Sequence, residues 1–239
     1  MLVTGASQRI GAAIVRHAHS AGYRVIVHYR RSAEQAGNLV ASLNAEREHS
    51  AVSLQADFAN PETFERLIDA ATAVWERLDV LVNNASEFSP APVGSIGYAQ
   101  LQETFTANVF APLLLSQAAL PALRRQRGAV INILDIYANR VHPDHTVYCA
   151  SKAALSMITK SLAVECAPDV RVNGIAPGAI LWPEGQIAVT DEAKAAMLEK
   201  IPLQRIGDAK QIALAVEYLC KADFVTGQTI AIDGGRTAL

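Results

Sequence analysis

The chain has 239 residues, 51% of them hydrophobic and 18% charged, an ordinary globular composition long enough for a sizeable core. A formal net charge of −2 gives no basic field for gathering nucleic acid or an anionic lipid surface. Neither a signal peptide nor an apolar run of the roughly 20 residues that cross a membrane is expected. The three cysteines, Cys149, Cys166 and Cys220, are odd in number and lack metal-ligand spacing, which reads as a reducing cytoplasm.

Short β-branched runs alternate with longer helical patterns. The strand-like runs are "LVT", "YRVIVHY", "AVSLQA", "LDVLVNN", "GAVINIL", "VRVNGIA" and "QTIAIDG". In "PETFERLIDAATAVWERL", Phe64, Leu67, Ile68, Ala71 and Val74 recur at helical spacing. Pro61 suits the first turn of that helix, with Asn60 as its cap. This alternation predicts an α/β fold, a mostly parallel seven-stranded sheet with helices on both faces. With no linker, repeat or low-complexity tract, residues 1–239 read as one domain. Only Leu2 and Val3 precede the first turn, so the first strand is short and residues upstream of Met1 are an open expectation.

That first turn is "TGASQRIG". Gly5 permits a tight turn, and Gly11 lets helix and strand pack closely. A phosphate here meets free backbone N–H groups and the positive end of a helix dipole, with Arg9 and Ile10 beside it. The second strand ends about 20 residues further on, where a dinucleotide's adenosine ribose sits. An NAD site offers a carboxylate at that point; this chain offers His28, Tyr29, Arg30, Arg31 and Ser32. A carboxylate repels a 2′-phosphate, whereas a guanidinium pairs with one. Arg9 and Arg31 are therefore expected to converge on the extra phosphate of NADPH, the alternative being a solvated basic turn. Asp57, after the third strand, is either an adenine-amino acceptor or an exposed loop acid.

Tyr148 and Lys152 stand four apart in "VYCASKAAL", on one face of a helix. A nearby ammonium favours phenolate and is expected to lower the tyrosine's pKa toward a range useful for proton transfer. Asn108, in "TANVFAP", is either a satisfied buried amide or the anchor of a relay water.

Together the "TGASQRIG" turn, "NNAS" (Asn83, Asn84, Ala85, Ser86), Asn108, the Tyr148–Lys152 pair, "NGIAPG" through Pro177 and Gly178, and the terminal "VTGQTIAIDGG" resemble the short-chain dehydrogenase/reductase family across essentially the whole chain. The resemblance implies a Rossmann-type, doubly wound sheet. It implies that Tyr148 donates a proton, that Lys152 holds the nicotinamide ribose and tunes the tyrosine, and that Asn108 holds the relay water. It also places Asn84, Ala85, Pro177 and Gly178 on the cofactor. The family's homotetramer is implied as well, in keeping with a long apolar helix from Thr146 to Ala167.

One departure matters more than these agreements. The family places a serine upstream of the tyrosine, and the corresponding residue, 13 before Tyr148, is Asp135. An ionised carboxylate repels a ketone oxygen and the alkoxide that forms from it. It suits a substrate rich in N–H donors or basic ring nitrogens. Arg9, "HYRRS" and the Asp135–Tyr148 pair resemble the pteridine reductase branch. That branch implies substrate contacts from Arg9, Ser86, Phe88, Asp135 and Tyr148. Alone, Phe88 reads as a loop anchor; the branch implies that it stacks on a flat pterin. Trp182, in "PGAILWPEGQ", lines the pocket or caps the surface. His142 and His145 make a loose pair without a third ligand, and no metal is assigned.

The expected activity is NADPH-dependent reduction of dihydropterins, and of pterins or folates, to tetrahydro forms. Its rivals are a broad carbonyl or 3-oxoacyl reductase and a catalytically silent NADPH-binding protein.

Overall fold

A computed structural model describes residues 1–182 and 190–238. In chain order the elements are β1 (Leu2–Val3), α1 (Arg9–Ser20), β2 (Val25–Tyr29), α2 (Ala33–Glu46), β3 (Ala51–Gln55), α3 (Thr63–Ala73) and β4 (Val80–Asn83). There follow α4 (Tyr98–Phe105), a π-helical turn (Thr106–Phe110), α5 (Ala111–Gln126), β5 (Ala129–Ile133) and a 3₁₀ turn (Ile136–Ala138). The chain closes with α6 (Thr146–Glu165), β6 (Arg171–Pro177), α7 (Asp191–Leu198), α8 (Ala209–Lys221) and β7 (Thr229–Ile232).

The seven strands form one sheet in the order β3-β2-β1-β4-β5-β6-β7, and every pairing is parallel. Parallel strands buried on both faces alternate their side chains between two cores. Val3, Val27, Val82 and Ile131 pack with α1, α2 and α8 on one face. Leu2, Ile26, Leu81 and Val130 pack with α3 and α5 on the other. The two-residue β1 thus buries one side chain in each core, and its register is fixed by Leu2 against Ile26 and Leu81. The chain reverses strand order between β1 and β4, which opens a crevice at the carboxyl ends of those strands.

Two expectations need correction. α3 begins at Thr63, with Glu62 at its cap. Asn60 instead accepts a hydrogen bond from Glu62 N–H at 3.1 Å in a turn ahead of the helix. The helix ends at Ala73, short of the predicted pattern, and Glu76 at φ 56 then reverses the chain. Second, Tyr98–Gln126 forms a continuous helical stretch of 29 residues that contains an 18-residue window of mean hydropathy 1.3, apolar enough to cross a membrane by length and composition. Half of that window is buried. Ala111, Leu115, Ala119 and Leu123 lie in the core, so packing against the sheet accounts for the hydropathy.

Candidate functional site

A cleft of about 760 Å³ lies at the crevice and is lined by Gly5, Arg9, Ile10, Gly11 and by His28 through Ser32. Asp57, Asn84, Ala85 and Ser86 complete the predicted part of its wall. Both glycines are required by close approach. A Cβ on Gly5, at φ +59, would lie 2.9 Å from the Ala85 Cα. One on Gly11 would lie 2.6 Å from both Asn84 Nδ2 and the Gly5 carbonyl oxygen. Asn84 Nδ2 ties the turn down by donating to the carbonyls of Thr4 at 2.8 Å and Gly5 at 3.0 Å. Asn84 therefore uses its amide hydrogens on the turn itself.

Arg9 holds φ 53, a left-handed conformation that costs a non-glycine residue about 1 kcal/mol or more. Its side chain is exposed at the cleft, as is that of Arg31. Of Arg9, Arg30 and Arg31, only Arg30 has a carboxylate within ion-pair distance among the described residues, Glu103 at 4.0 Å. The unpaired guanidinium groups fit the phosphates of a dinucleotide. Asp57 lies in the cleft with Oδ1 accepting from Ala59 N–H at 3.1 Å.

His28 departs from the predicted basic group. It is 2% exposed, accepts from Gly5 N–H at Nδ1 (3.0 Å) and places Nε2 3.2 Å from the Ala56 carbonyl. Phe58 stacks on it at 4.7 Å. Burial pulls its pKa down to about 4, against weaker support from the Ala56 carbonyl and Asp57. It is a neutral brace between the glycine turn and the end of β3, so phosphate recognition falls to the arginines.

Asp135, Tyr148, Lys152 and Phe88 lie outside that cleft wall and are tied to it through Asn108, which bonds both Ser86 and Ser151 of α6. Tyr148, on α6, donates its hydroxyl proton to Asp135 Oδ2 at 2.7 Å. Asp135 also caps the 3₁₀ turn, Oδ1 accepting from Tyr137 N–H at 2.9 Å. Burial raises the Asp135 pKa, opposed by the hydrogen bonds from Tyr137 and Tyr148 and by the charges of Lys152 and His142. Lys152 is buried and donates to the Ile133 carbonyl at 3.0 Å; burial lowers its pKa to about 8.

The expected depression of Tyr148 is reversed. Burial first, then the Asp135 charge and hydrogen bond, hold its pKa well above the ordinary tyrosine range. The Lys152 ammonium, 5.7 Å from the ring centroid, does not overcome them. Tyr148 is therefore a firm phenol, and Asp135 is the more acidic member of the pair, its proton affinity raised by burial.

Asn108, fully buried in the π turn, also differs from expectation. Its Oδ1 accepts from Ser86 Oγ at 3.0 Å and Glu87 N–H at 2.8 Å. Its Nδ2 donates to the Glu87 carbonyl and to Ser151 Oγ, both at 2.9 Å. A carboxamide has two acceptor and two donor places, so none remains for a relay water on this side chain. Ser86 in turn spends its proton on Asn108 and offers a substrate only its lone pairs.

Phe88 is not a core anchor: it is 53% exposed and meets the Tyr148 ring edge-on at 4.6 Å. Pro177 and Gly178, at the carboxyl end of β6, lie outside the cleft wall, where a Cβ on Gly178 would meet Asp233 at 2.7 Å. Trp182 is half-buried beneath Lys194 of α7, Nζ 6.0 Å from its ring. The remainder of the expected substrate loop, 183–189, lies outside the described residues. Sequence reasoning missed Glu87, Gln102, Glu103 and Thr106 in the cleft wall, which carry no motif. It also passes over Tyr137 and treats His142 and His145, both within six residues of Tyr148, only as a loose metal pair and not as stacking rings.

Residues 5–237 match a family model described as "Enoyl-(Acyl carrier protein) reductase". The chain belongs to the short-chain dehydrogenase/reductase family. It is 35% identical to "Pteridine reductase 1" of Leishmania tarentolae, covering 98% of this chain and 94% of that protein. It is also 35% identical to a 3-oxoacyl-[acyl-carrier-protein] reductase of Staphylococcus aureus, covering 98% and 96%. Among solved structures, an apo SCOR enzyme from Clostridium thermocellum superposes with a TM-score of 0.86 at 31% identity, covering 100% of this chain and 92% of that one. Reductases of the short-chain family use NAD(P)H, and the cleft's phosphate-facing turn fits such a nucleotide.

Proposed function

We propose that the protein is an NADPH-dependent pteridine reductase, acting on dihydropterins and, more broadly, on pterins or folates. The observation that carries this reading is the Tyr148–Asp135 hydrogen bond, placed where the family's ketone reductases present a serine hydroxyl. A ketone reduction develops negative charge on oxygen, which a carboxylate opposes. Reduction of a ring C=N bond instead calls for a proton at nitrogen.

Arg9 and Arg31 would hold the 2′-phosphate, Gly5 through Gly11 the diphosphate, and Lys152 the nicotinamide ribose. When bound, the nicotinamide supplies hydride to a ring carbon. Tyr148 passes its hydroxyl proton to the adjacent ring nitrogen. Asp135, a carboxylate in the resting site, takes up a proton from solvent and passes it to the Tyr148 oxygen, so the phenol is restored. Phe88 offers the flat ring a stacking face. Asn108 acts as a positioning residue, clamping Ser86 and Glu87 to Ser151 of α6.

We also carry over the family's homotetramer, supported by Phe110, Met157 and Val164, which are exposed on the π turn and on α6.

A second reading, a 3-oxoacyl or broad carbonyl reductase, is favoured by the Staphylococcus aureus relative at the same identity. NADPH consumption separates the two when dihydrobiopterin is set against a panel of ketones and a 3-oxoacyl thioester. Turnover of dihydrobiopterin supports the pteridine reading; turnover of carbonyls alone removes it. Nucleotide binding without any turnover, indifferent to Tyr148→Phe, would instead mark a silent binding protein.

A further inference from the structure

Three rings at the mouth of the Tyr148–Asp135 site, His145, His142 and Tyr137, are left unused by the chemistry above. His145 stacks on Phe88 with centroids 4.6 Å and planes 18° apart. Phe88 meets the Tyr148 ring at 4.6 Å and 89°. His142 leans on His145 at 4.1 Å and on Tyr137 at 4.5 Å.

The imidazoles are anchored from within their own loop. Nδ1 of His142 and Nδ1 of His145 lie 2.9 and 2.7 Å from the Pro143 carbonyl oxygen. A carbonyl only accepts, so each Nδ1 carries a proton and each ring is held by a bond. This loop is also laced to the one that bears Phe88. Ala91 N–H donates to the Asp144 carbonyl, and Ala91 bridges His145. One face of Phe88 is thus covered by an imidazole while the ring stays 53% exposed. A large ring held still beside a buried proton donor is a stacking surface with its ordering cost already met.

We propose that His145 is a positioning and specificity-determining residue: it holds Phe88 square to Tyr148, so that the free face of Phe88 receives a flat conjugated ring within reach of the Tyr148 hydroxyl. The inference deepens the pteridine reading and rests on it for the physiological substrate, but it concerns planarity and is testable without a pterin. An aliphatic chain gains little from such a face, whereas any flat conjugated ring stacks on it.

The test compares wild type with His145→Ala, His145→Leu and His145→Phe, each saturated with NADPH. The substrates are dihydrobiopterin and a matched aryl and alkyl ketone. Nucleotide binding, followed by quenching of protein fluorescence, reports that each variant is folded. The expected result is a KM about three- to tenfold higher for planar substrates in His145→Ala and His145→Leu, with kcat changed less than KM. The alkyl ketone's KM rises less, and His145→Phe restores the planar values because it replaces the stacked face. The inference is overturned by unchanged planar KM in the Ala and Leu variants, by equal rises for aryl and alkyl ketones, or by no rescue in His145→Phe. Should dihydrobiopterin stay untouched while the aryl ketone responds as stated, the pteridine reading falls and this one stands. A wild-type protein that turns over no planar substrate overturns both.

Discussion

Tyr148 and Asp135 share a hydrogen bond of 2.7 Å although they enter the site from different elements, one from the first turn of α6 and the other from the turn after β5. The bond sets the direction in which protons move. Burial and the neighbouring carboxylate keep Tyr148 a phenol, and burial raises Asp135. The tyrosine therefore holds the proton that a substrate can reach, and the carboxyl beside it is the route by which that proton is replaced.

Asp135→Ser tests that division of labour with little structural disturbance. Serine is itself a good cap, so the 3₁₀ turn that Asp135 closes through Tyr137 N–H survives. Pterin reduction is expected to fall about 100-fold or more. In the wild type, kcat should decline as pH rises above the raised pKa of Asp135, because the carboxyl must take up a proton to restore Tyr148. The serine variant should lose that limb of the profile. Wild-type activity and an unaltered profile in Asp135→Ser would remove the carboxyl from the mechanism.

The arginines separate affinity from stability. Arg31→Ala deletes a guanidinium that has no carboxylate partner among the described residues, so little in the fold depends on it. Its loss should erase about 10- to 100-fold of the preference for NADPH over NADH, the worth of a charge-assisted hydrogen bond or two. Arg9→Gly should do two opposite things. Glycine relaxes the φ 53 backbone and stabilises the fold by roughly 1 kcal/mol, while KM for NADPH rises. A variant no more stable than wild type, with unchanged KM, would leave the strained arginine without a role at the phosphate.

His28 supplies a pH signature. Its folded pKa is depressed, to about 4 from an ordinary 6.5. Its contribution is therefore fully present above 6.5 and is lost as pH falls through 4. The span corresponds to roughly 3 kcal/mol. Protonation also breaks a specific bond, since Nδ1 must stay bare to accept from Gly5 N–H. Denaturant melts between pH 7 and 4 should show wild type losing more stability than His28→Gln. Parallel slopes for the two proteins would mean that the histidine is not held neutral.

How much of this the sequence disclosed depends on whether the cause is local or tertiary. The roles of Gly5 and Gly11 follow from a turn read off seven residues, and the close contacts at both bear the reading out. The Tyr148–Asp135 juxtaposition was legible because strand end and helix start are fixed by the fold class. The sign of the Tyr148 shift was not, since it is decided by burial and the neighbouring carboxylate rather than by the Lys152 spacing. His28 stands beside two arginines in the sequence but belongs to the buried run of β2, covered on both faces of the sheet. His142 and His145 were weighed only as metal ligands, and their stacking depends on a loop–loop bridge through Ala91 that no spacing announces.

Asn108 is where these limits matter most for mechanism. A side chain that anchored a water would lose activity on truncation and little else. The carboxamide instead makes four hydrogen bonds, to Ser86, to both backbone groups of Glu87 and to Ser151. Asn108→Ala removes all four bonds, three of them part-buried and one to the fully buried Ser151, at a net cost of about 1 kcal/mol each. At roughly 2–4 °C per kcal/mol for a domain of this size, Tm should fall by about 10 °C. Activity should fall with it, because Ser86 and Glu87 line the cleft and would lose their hold on α6. A proton relay at this position then has to use the main-chain carbonyl of the π turn, which the alanine variant keeps. The two contributions divide under solvent-isotope measurement: a clamp predicts the same kinetic solvent isotope effect in Asn108→Ala as in wild type. An isotope effect that changes with Tm intact would return the side chain to the relay.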